Sequence, residues 1–574
     1  MNRLLCTLSL LILALLSTSI ARAAESPAPK ASKPTPQRAL VIQGGALIDA
    51  TGRPPIENAV VVIRGERIEA VGKRGEVSIP SGSRVIDAKG KTILPGFIDG
   101  HCHLRDFMGE LYLNLGITTC PDISQNDDYW VMAIRDGTNM GKIRGPRIWA
   151  TGKRLLGPPP PWGRRVGFGY LVQTPEEARK IVREKKQLGM EIIKLNEFVS
   201  PEVLKAAADE ANKLGLPTTC HCLDVLLAAE AGFTGVEHHW APGMTSIADP
   251  KKRWKVHEER NAGNFDTPEL PYYYETENFD SIIKAMVEKN VSYSATIATH
   301  FRPLSPSAAV FKARELSILN NPNTKYFPPF LRWQTEGAYS TYEKMTPEQL
   351  SRVKEGYGKI VDFMRRYVKA GGLLRTGSDP NNIMPALGIH IEMKMFVEAG
   401  LTPMQAIQAS TINVAKMFRK DKDFGTVEAG KVADLVIIDG DPLKEIWTTQ
   451  NVRRVILNGN EVDINFHREY KNPIHNTRAD ERVPDLTEIS PTSIPQGSEP
   501  VTLKVRARRN FEPYFRVTLN GKEIDTKFIN ETELHATIPP EIMKKPGTYV
   551  VMVVNPGDFA ARSSLAYLII HFKK

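Results

Sequence analysis

Between residues 95 and 418, short apolar runs alternate with longer segments whose apolar positions repeat at helical spacing. Runs such as FIDGHCH, MEIIKL and TGVEHH have the length of buried strands. The segments between them, such as PEVLKAAADEANKLG, commonly begin after Thr-Pro or Ser-Pro and end at Gly, as helix termini do. Eight such runs and roughly eight helices predict an α/β fold, a (β/α)8 TIM barrel.

Three connections in this alternation are unusually long. They cover residues 154–172, 240–276 and 300–345, after the third, sixth and seventh predicted strands. Loops that follow barrel strands lie over the face where active sites form, so we expect these segments to border the site.

The segments on either side of the predicted barrel contain short strands and turns. Residues 39–94 and 419–465 both consist of apolar runs broken by Gly and Asp. We expect them to form one composite β-sandwich into which the barrel, residues 95–418, is inserted. Residues 466–484 are polar and predict a linker. Residues 485–574 alternate polar and apolar positions, which predicts an all-β immunoglobulin-like domain.

The N-terminus has the pattern of a secretory signal peptide. A positive Arg3 precedes the apolar run Leu4–Leu16, and Ala21–Ala23 fits a small-x-small cleavage site. The run is shorter than the ~20 residues of a membrane-spanning helix. We therefore expect residues 1–23 to be removed and the protein to be periplasmic or secreted, without an integral membrane segment. Residues 24–38 are rich in Pro, Ala and Lys and predict a flexible linker.

The charge and the cysteine content of the chain give only limited information about its partners and its disulfides. The formal net charge is +10, and the basic residues are spread along the chain, which favours a solvated surface over nucleic-acid binding. After signal removal four cysteines remain, all within apolar strand-like runs. An exported protein could pair them, but this setting favours free, buried thiols. These cysteines are Cys102, Cys120, Cys220 and Cys222.

Candidate chemistry is concentrated at the ends of the predicted strands. His101 and His103 are two positions apart on the first strand, so their side chains share one face. Lys194 lies among apolar residues of the fourth strand, where an unpaired ammonium is costly to bury. Either its tip reaches solvent at the barrel mouth, or its charge is removed, as carbamate formation would do.

Further potential ligands end the later strands. His221 ends the fifth, His238 the sixth, and Asp379 the eighth. Each alone is more often a structural polar residue. In a barrel, however, all the strand ends open onto one face, and imidazole and carboxylate groups are suitable ligands for zinc and similar ions.

These motifs, in this order, resemble those of the amidohydrolase superfamily, close to its prolidase-like and imidazolonepropionase-like members. The likeness extends from about residue 39 to residue 465 and includes KTILPGFIDGHCHL, GVEHHW, TGSDPN and GTVEAGKVADLVIIDGDPL. The C-terminal segments ISPTSIPQGSEPVTLKV and GTYVVMVVNPG resemble an IPT/TIG-type domain, which could bind a protein or a carbohydrate.

The resemblance implies a hydrolase with two divalent ions, zinc by default. A hydroxide between the ions would attack the carbonyl of an amide-type C–N bond, with Asp379 as the general base. The substrate would be a dipeptide, an acyl-amino acid or a cyclic amide. The implied ligands are His101, His103 and Asp379 for one ion, His221 and His238 for the other, and a carbamate on Lys194 bridging both.

Two further histidines and two other functions remain open. His239 is the weaker ligand candidate, because the family's ligand directly follows the Glu. His300, at the end of the seventh predicted strand, could bond the substrate carbonyl or be a polar rim residue. A mononuclear deaminase-like enzyme would carry HxxE on strand five, whereas Asp224 stands third after His221. A non-enzymatic binding protein would not need the full ligand set.

Overall fold

The computed structural model describes most of the chain after residue 37. The predicted signal peptide and nearly all of the predicted 24–38 linker lie outside the described residues. The described residues are 38–124, 127–158, 169–196, 198–328, 330–380, 383–474, 486–507, 511, 513, 515–554 and 566–572.

Six strands precede the α/β region. Apolar residues dominate the buried strands, such as AVVVIR, in which five successive side chains are buried. The strands are β1 Leu40–Gln43, β2 Ala46–Leu47, β3 Ala59–Arg64, β4 Arg67–Lys73, β5 Arg84–Asp87 and β6 Lys91–Pro95.

The α/β region contains short parallel strands, and all of them except β11 are mostly buried. They are β7 Phe97–Ile98, β8 Ile117–Asp122, β9 Arg147–Ala150, β10 Arg154–Leu156, β11 Gly169–Leu171, β12 Ile193–Leu195, β13 Thr218–Cys220, β14 Gly235–Glu237, β15 Ser292–Ser294 and β16 Leu374–Arg375.

Helices follow most of these strands. Several begin where the sequence predicts, because a Thr or Ser side chain caps a helix whose first residue is Pro. Thr174 and Glu177 form a capping box of this kind before Pro175. The helices are α1 Gly109–Asn114, α2 Asp128–Asn139, α3 Pro175–Gln187, α4 Pro201–Lys213, α5 Val225–Ala231, α6 Trp240–Ser246, α7 Pro250–Ala262, α8 Phe279–Glu288, α9 Ile297–Phe301, α10 Ala308–Leu319, α11 Phe330–Glu343, α12 Pro347–Lys369, α13 Leu387–Glu398, α14 Pro403–Ala409 and α15 Ile412–Met417.

The parallel strands form two sheets, β7-β8-β9 and β11-β10-β12-β13-β14-β15-β16. Hydrogen bonds connect the two sheets at two places. The amide of Glu191 donates to Ala150 O at 2.8 Å, and the amide of Asp379 donates to His101 O at 2.8 Å. The ends of the first and last parallel strands therefore lie side by side.

Two sequence expectations about this region are wrong. The segments 240–276 and 300–345, expected as loops, contain helices α6, α7, α10 and α11. His300 does not end a strand but lies in α9. The reason is a left-handed residue, Thr296 (φ 47°), after which the carboxylate of Glu392 accepts the amide of Ile297 at 2.6 Å and the chain turns into a helix.

After α15 the chain returns to the first β region. Strand β17 pairs antiparallel with β6, so one sheet, β19-β18-β17-β6-β2, combines strands from both sides of the α/β region. Its buried side chains share one apolar cluster with those of the sheet β4-β3-β1-β5. The added strands are β17 Leu435–Asp439, β18 Val452–Leu457 and β19 Asn460–Val462.

The remaining C-terminal part is almost entirely β. Its sheets are β20-β22-β26-β25 and β21-β28-β27-β23-β24, and alternate side chains of β22 are buried. One short helix, α16 Pro540–Met543, interrupts the strands. These are β20 Leu486–Ser490, β21 Ser493–Pro495, β22 Thr502–Ala507, β23 Arg516–Leu519, β24 Lys522–Glu523, β25 Thr526–Asn530, β26 Glu533–Thr537, β27 Gly547–Val554 and β28 Ala566–His571.

The described part of the predicted 466–484 linker, residues 466–474, contacts the α/β region. His467 Nδ1 lies 2.7 Å from a buried carboxylate oxygen of Glu110, and the Trp130 indole donates to Ile474 O at 3.1 Å. Across the described residues, no helix has the length and hydropathy that crossing a membrane requires.

Candidate metal centre

The close approach of the first and last parallel strands brings ligands together. A Cβ atom added to Gly377 would lie 2.4 Å from His101 Cβ, and one added to Gly100 would lie 2.4 Å from Thr376 O. Glycine at both positions therefore lets the two strand ends pass within van der Waals distance. This contact sets Asp379 beside the histidines that follow β7.

Two overlapping groups of potential metal ligands lie at these strand ends. In each group the ligand atoms are within 4.8 Å of one another. Asp379 Oδ1 is 3.5 Å from His103 Nε2 and 3.9 Å from His101 Nε2, and Asp379 Oδ2 is 3.7 Å from His238 Nδ1. The groups are His101, His103 and Asp379, and His101, His221 and His238.

Neighbouring groups hold Nδ1 of His101 and of His103, which leaves Nε2 of each for a ligand. His101 Nδ1 is 2.6 Å from Glu237, and His103 Nδ1 is 3.1 Å from Ser124 O. Within the described part of the chain, His101 Nε2 is buried without a hydrogen-bond partner. His238 Nε2 is 2.6 Å from His221 Nε2, so a proton or a cation must lie between these two nitrogens.

Burial favours the neutral form of three of the imidazoles, those of His103, His221 and His238, and metal binding requires this form. Desolvation by burial lowers the pKa of His103, His221 and His238 well below the usual value, and neighbouring positive groups lower it further. A neutral imidazole offers its lone pair to a cation at neutral pH.

Lys194 is fully buried on β12, and its Nζ has no hydrogen-bond partner among the residues that the structure describes. Burial lowers the pKa of Lys194 to about 7, although the Glu237 carboxylate opposes the shift. A lysine whose buried amine has a substantial neutral fraction near pH 7 matches the residue that the sequence singles out. A buried imidazole nitrogen and a buried amine, both without a hydrogen-bond partner among the described residues, fit a metal centre.

The carboxylate of Asp99 holds Ser378, the residue directly before Asp379. Asp99 accepts hydrogen bonds from the amide of Ser378 at 2.8 Å, from the Ser378 hydroxyl at 2.5 Å and from Tyr112 at 3.1 Å. Burial raises the pKa of Asp99, while these hydrogen bonds oppose the rise. Sequence reasoning missed Asp99, although it stands two positions before His101 in the same predicted strand, FIDGHCH.

His239 and His300 lie to one side of the ligand groups. His239 Nδ1 is 3.1 Å from the Tyr274 hydroxyl, and its ring centre is 6.3 Å from that of His300. Burial, with Arg260 nearby, lowers the pKa of His300 to about 4. Neither residue belongs to a ligand group found among the described residues.

The four cysteines of the α/β region are not free thiols, contrary to the sequence expectation. One disulfide joins Cys102 to Cys120 and another joins Cys220 to Cys222. Cys102 follows β7 while Cys120 lies on the adjacent β8, so pairing of these strands brings the two sulfurs together. The disulfides flank three of the histidines in the ligand groups.

Curated proteins are similar to this chain over different lengths. An imidazolonepropionase of Symbiobacterium thermophilum is 23% identical over 432 residues, covering 70% of this chain and 90% of the relative. An N-acyl-D-glutamate deacylase of Alcaligenes xylosoxydans xylosoxydans is 48% identical over 64 residues, 11% of this chain and 12% of the relative.

Two solved structures share the fold. One is a Xaa-Pro dipeptidase with methionine in its active site, with a TM-score of 0.53 and 20% identity over 74% of this chain and all of that one. The other is a prolidase complexed with N-methylphosphonate-L-proline, with a TM-score of 0.52 and 21% identity over 74% of this chain and 99% of that one.

The profile of the amidohydrolase family matches residues 112–462, more than half of the chain. Strands β8 to β19, with most of the ligand residues, lie within this match. The chain belongs to the amidohydrolase family and is, as such, a hydrolase that acts on C–N bonds.

Proposed function

We propose that this protein is a binuclear metal-dependent hydrolase that cleaves an amide-type C–N bond. The observation that carries the proposal is the pair of overlapping ligand groups, which share His101 and lie within reach of Asp379. One ion would be held by His101, His103 and Asp379, and the other by His221 and His238. Lys194, as a carbamate, would contact both.

The proposed frame for this site is a (β/α)8 barrel, residues 95–418, inserted in a composite β-sandwich of residues 39–94 and 419–465. The parallel sheets and the hydrogen bonds between their edges support this frame. Residues 485–574 would form an IPT/TIG-like domain of immunoglobulin type, and their two packed β-sheets support that part of the proposal.

Bound divalent ions, by default zinc, would polarise the substrate carbonyl and make a water molecule acidic. The chain's own residues then handle the protons. Asp379 lies near both ligand groups and is only 7% exposed, so its carboxylate can take a proton from the attacking water and give it to the leaving nitrogen. Asp99, through Ser378, holds this carboxylate in place.

Lys194 is suited to become a carbamate. The amine is buried, has no described hydrogen-bond partner and has a pKa of about 7, so a substantial neutral fraction can add to carbon dioxide and release a proton. The product is an anion, which the surrounding imidazoles and cations would stabilise better than they stabilise an ammonium.

The proposed substrates are dipeptides, acyl-amino acids and cyclic amides. Relatives named for a cyclic amide, an Xaa-Pro dipeptide and an N-acyl amino acid support these three classes. The test is a panel of all three with purified protein, loaded with zinc, manganese or cobalt, beside a chelated control. Turnover of at least one amide class that requires metal is expected. If the panel gives no amide turnover while an amine substrate tested beside it releases ammonia, the deaminase-like alternative is favoured.

We also propose export. The signal-peptide pattern of residues 1–23 supports it, and the two disulfides suit an oxidising compartment. Sequencing the N-terminus of the mature protein should find Ala24 first. An intact Met1 on the folded, active protein would contradict the proposal.

A further inference from the structure

A buried arginine lies beneath the candidate metal centre. Arg375, on β16, is fully buried and donates to Gly100 O at 2.9 Å, to the Ser292 hydroxyl at 3.1 Å and to Val236 O at 3.3 Å. Its Nη2 also donates to Glu237 Oε1 at 2.7 Å. One guanidinium thus joins the segments of four parallel strands at the floor of the site.

The partner of this arginine reaches the metal centre. Glu237, also fully buried, accepts hydrogen bonds at Oε1 from Arg375 and from the Thr219 hydroxyl. Its other oxygen, Oε2, lies 2.6 Å from Nδ1 of His101. The described contacts of the carboxylate are therefore with an arginine, a hydroxyl and the one histidine that belongs to both ligand groups.

The backbone makes room for this arrangement. A Cβ atom at Gly235 would lie 2.9 Å from Arg375 Nη2 and 2.8 Å from the Ser292 hydroxyl. Any side chain at that position would displace the guanidinium from Glu237. Space for the arginine is thus built into β14 itself, two residues before Glu237.

We propose that Glu237, held by Arg375, is a positioning residue that fixes His101 with its hydrogen on Nδ1 and its Nε2 facing the metal centre. The proposal rests on the metal-dependent function proposed above. A carboxylate has only acceptor atoms, so the nitrogen that faces Glu237 must carry the hydrogen. The opposite nitrogen is then a lone pair, which is the form that binds a cation.

The substitution Glu237→Gln tests the positioning role because it keeps the size of the side chain and reverses the direction of its hydrogen bond with His101. Two donors, Arg375 and Thr219, face Oε1, so the amide oxygen of Gln must take that place. Its NH2 group then faces His101 Nδ1, which has to accept. The hydrogen of His101 would move to Nε2 and block the metal.

The measurement is metal binding to the apoprotein, with cobalt or zinc titrated against a chromophoric chelator. Wild type should bind two ions per chain, and Glu237→Gln should bind at least one of them about 10–100-fold more weakly. The cobalt absorption spectrum should change as well, because a lost imidazole alters the coordination. Thr219→Val removes one donor to the same carboxylate and should weaken binding by a smaller factor, about 2–10-fold.

A matched control is available in another buried pair. Glu315 is fully buried, lies 3.3 Å from Arg302 and accepts the Tyr339 hydroxyl at 2.9 Å, but belongs to neither ligand group. Glu315→Gln should lower the unfolding temperature without changing the metal affinities. This control distinguishes the effect of losing a buried ion pair, which lowers stability, from the effect of changing the orientation of His101, which lowers metal affinity.

The outcomes are distinguishable. Two ions bound by wild type and by Glu237→Gln with equal affinity would overturn the positioning role. If Glu237→Gln does not fold, unchanged affinities in Thr219→Val would overturn it equally. Absence of any metal binding by wild type would instead remove the proposed function, whatever the variants show.

Discussion

The close approach of Gly377 to His101 gives a sharp prediction. In Gly377→Ala the new methyl carbon would lie 2.4 Å from His101 Cβ, whereas two such carbons normally stay ~3.5–4.0 Å apart. The strand ends must separate by roughly 1 Å or more. Asp379 N and His101 O, now 2.8 Å apart, would lose their hydrogen bond.

Two magnitudes follow. Overpacking of this kind destabilises a folded protein by about 1–3 kcal/mol. Ligand distances in metal sites are held to within about 0.2 Å, so a shift of roughly 1 Å in His101 is too large to tolerate. We expect the metal affinity of Gly377→Ala to fall at least about tenfold, or ~1.4 kcal/mol.

The assay combines urea unfolding of the apoprotein with metal titration. Gly358→Ala is the control, because Gly358 lies in α12 and a Cβ atom there has nothing within 4 Å. That variant should be up to about 1 kcal/mol more stable and bind metal as wild type does. Wild-type metal affinity in Gly377→Ala would refute the argument that this contact sets the position of His101.

Three further predictions concern the proton acceptor, the disulfides and pH. Asp379→Asn should lower the turnover number about 10²–10⁴-fold at saturating metal, and a near wild-type rate would contradict its role. The chain unfolded without reductant should show no free thiol after residue 23, and reactive thiols would contradict the pairing. Replacing both Cys102 and Cys120 with Ala should lower the free energy of unfolding by about 3 kcal/mol, given their separation of 18 residues. The pKa values of His103, His221 and His238 are lowered in the folded state, so the unfolded apoprotein binds protons first as pH falls. The stability that these histidines contribute should be complete above about pH 7 and decline below about 6.5, and a flat unfolding temperature from pH 7 to 5 would contradict this.

Local pattern was enough to predict the strand-end residues that the structure brings together. His101 and His103 share a face because side chains alternate along an extended chain, and Lys194 is conspicuous because its neighbours are apolar. The parallel strands then gather these residues at one end. The boundaries of α3 and α4 follow from capping residues that act within one turn, which is also local information.

Features set by distant contacts could not be predicted in this way. His300 lies in a helix because Glu392, distant in sequence, fixes the turn at Thr296. The disulfide from Cys102 to Cys120 depends on the pairing of adjacent strands. Arg375, like Lys194, is a charged residue beside apolar residues in the sequence. Its partner Glu237 can be identified only from the fold.

The metal content per chain tests the central claim most directly. Protein prepared with carbonate and zinc, then freed of excess metal, should contain about two ions per chain by elemental mass spectrometry. Lys194→Ala should contain one or fewer, because the bridging anion is gone. A single ion in wild type, unchanged in Lys194→Ala, would contradict the two-metal account.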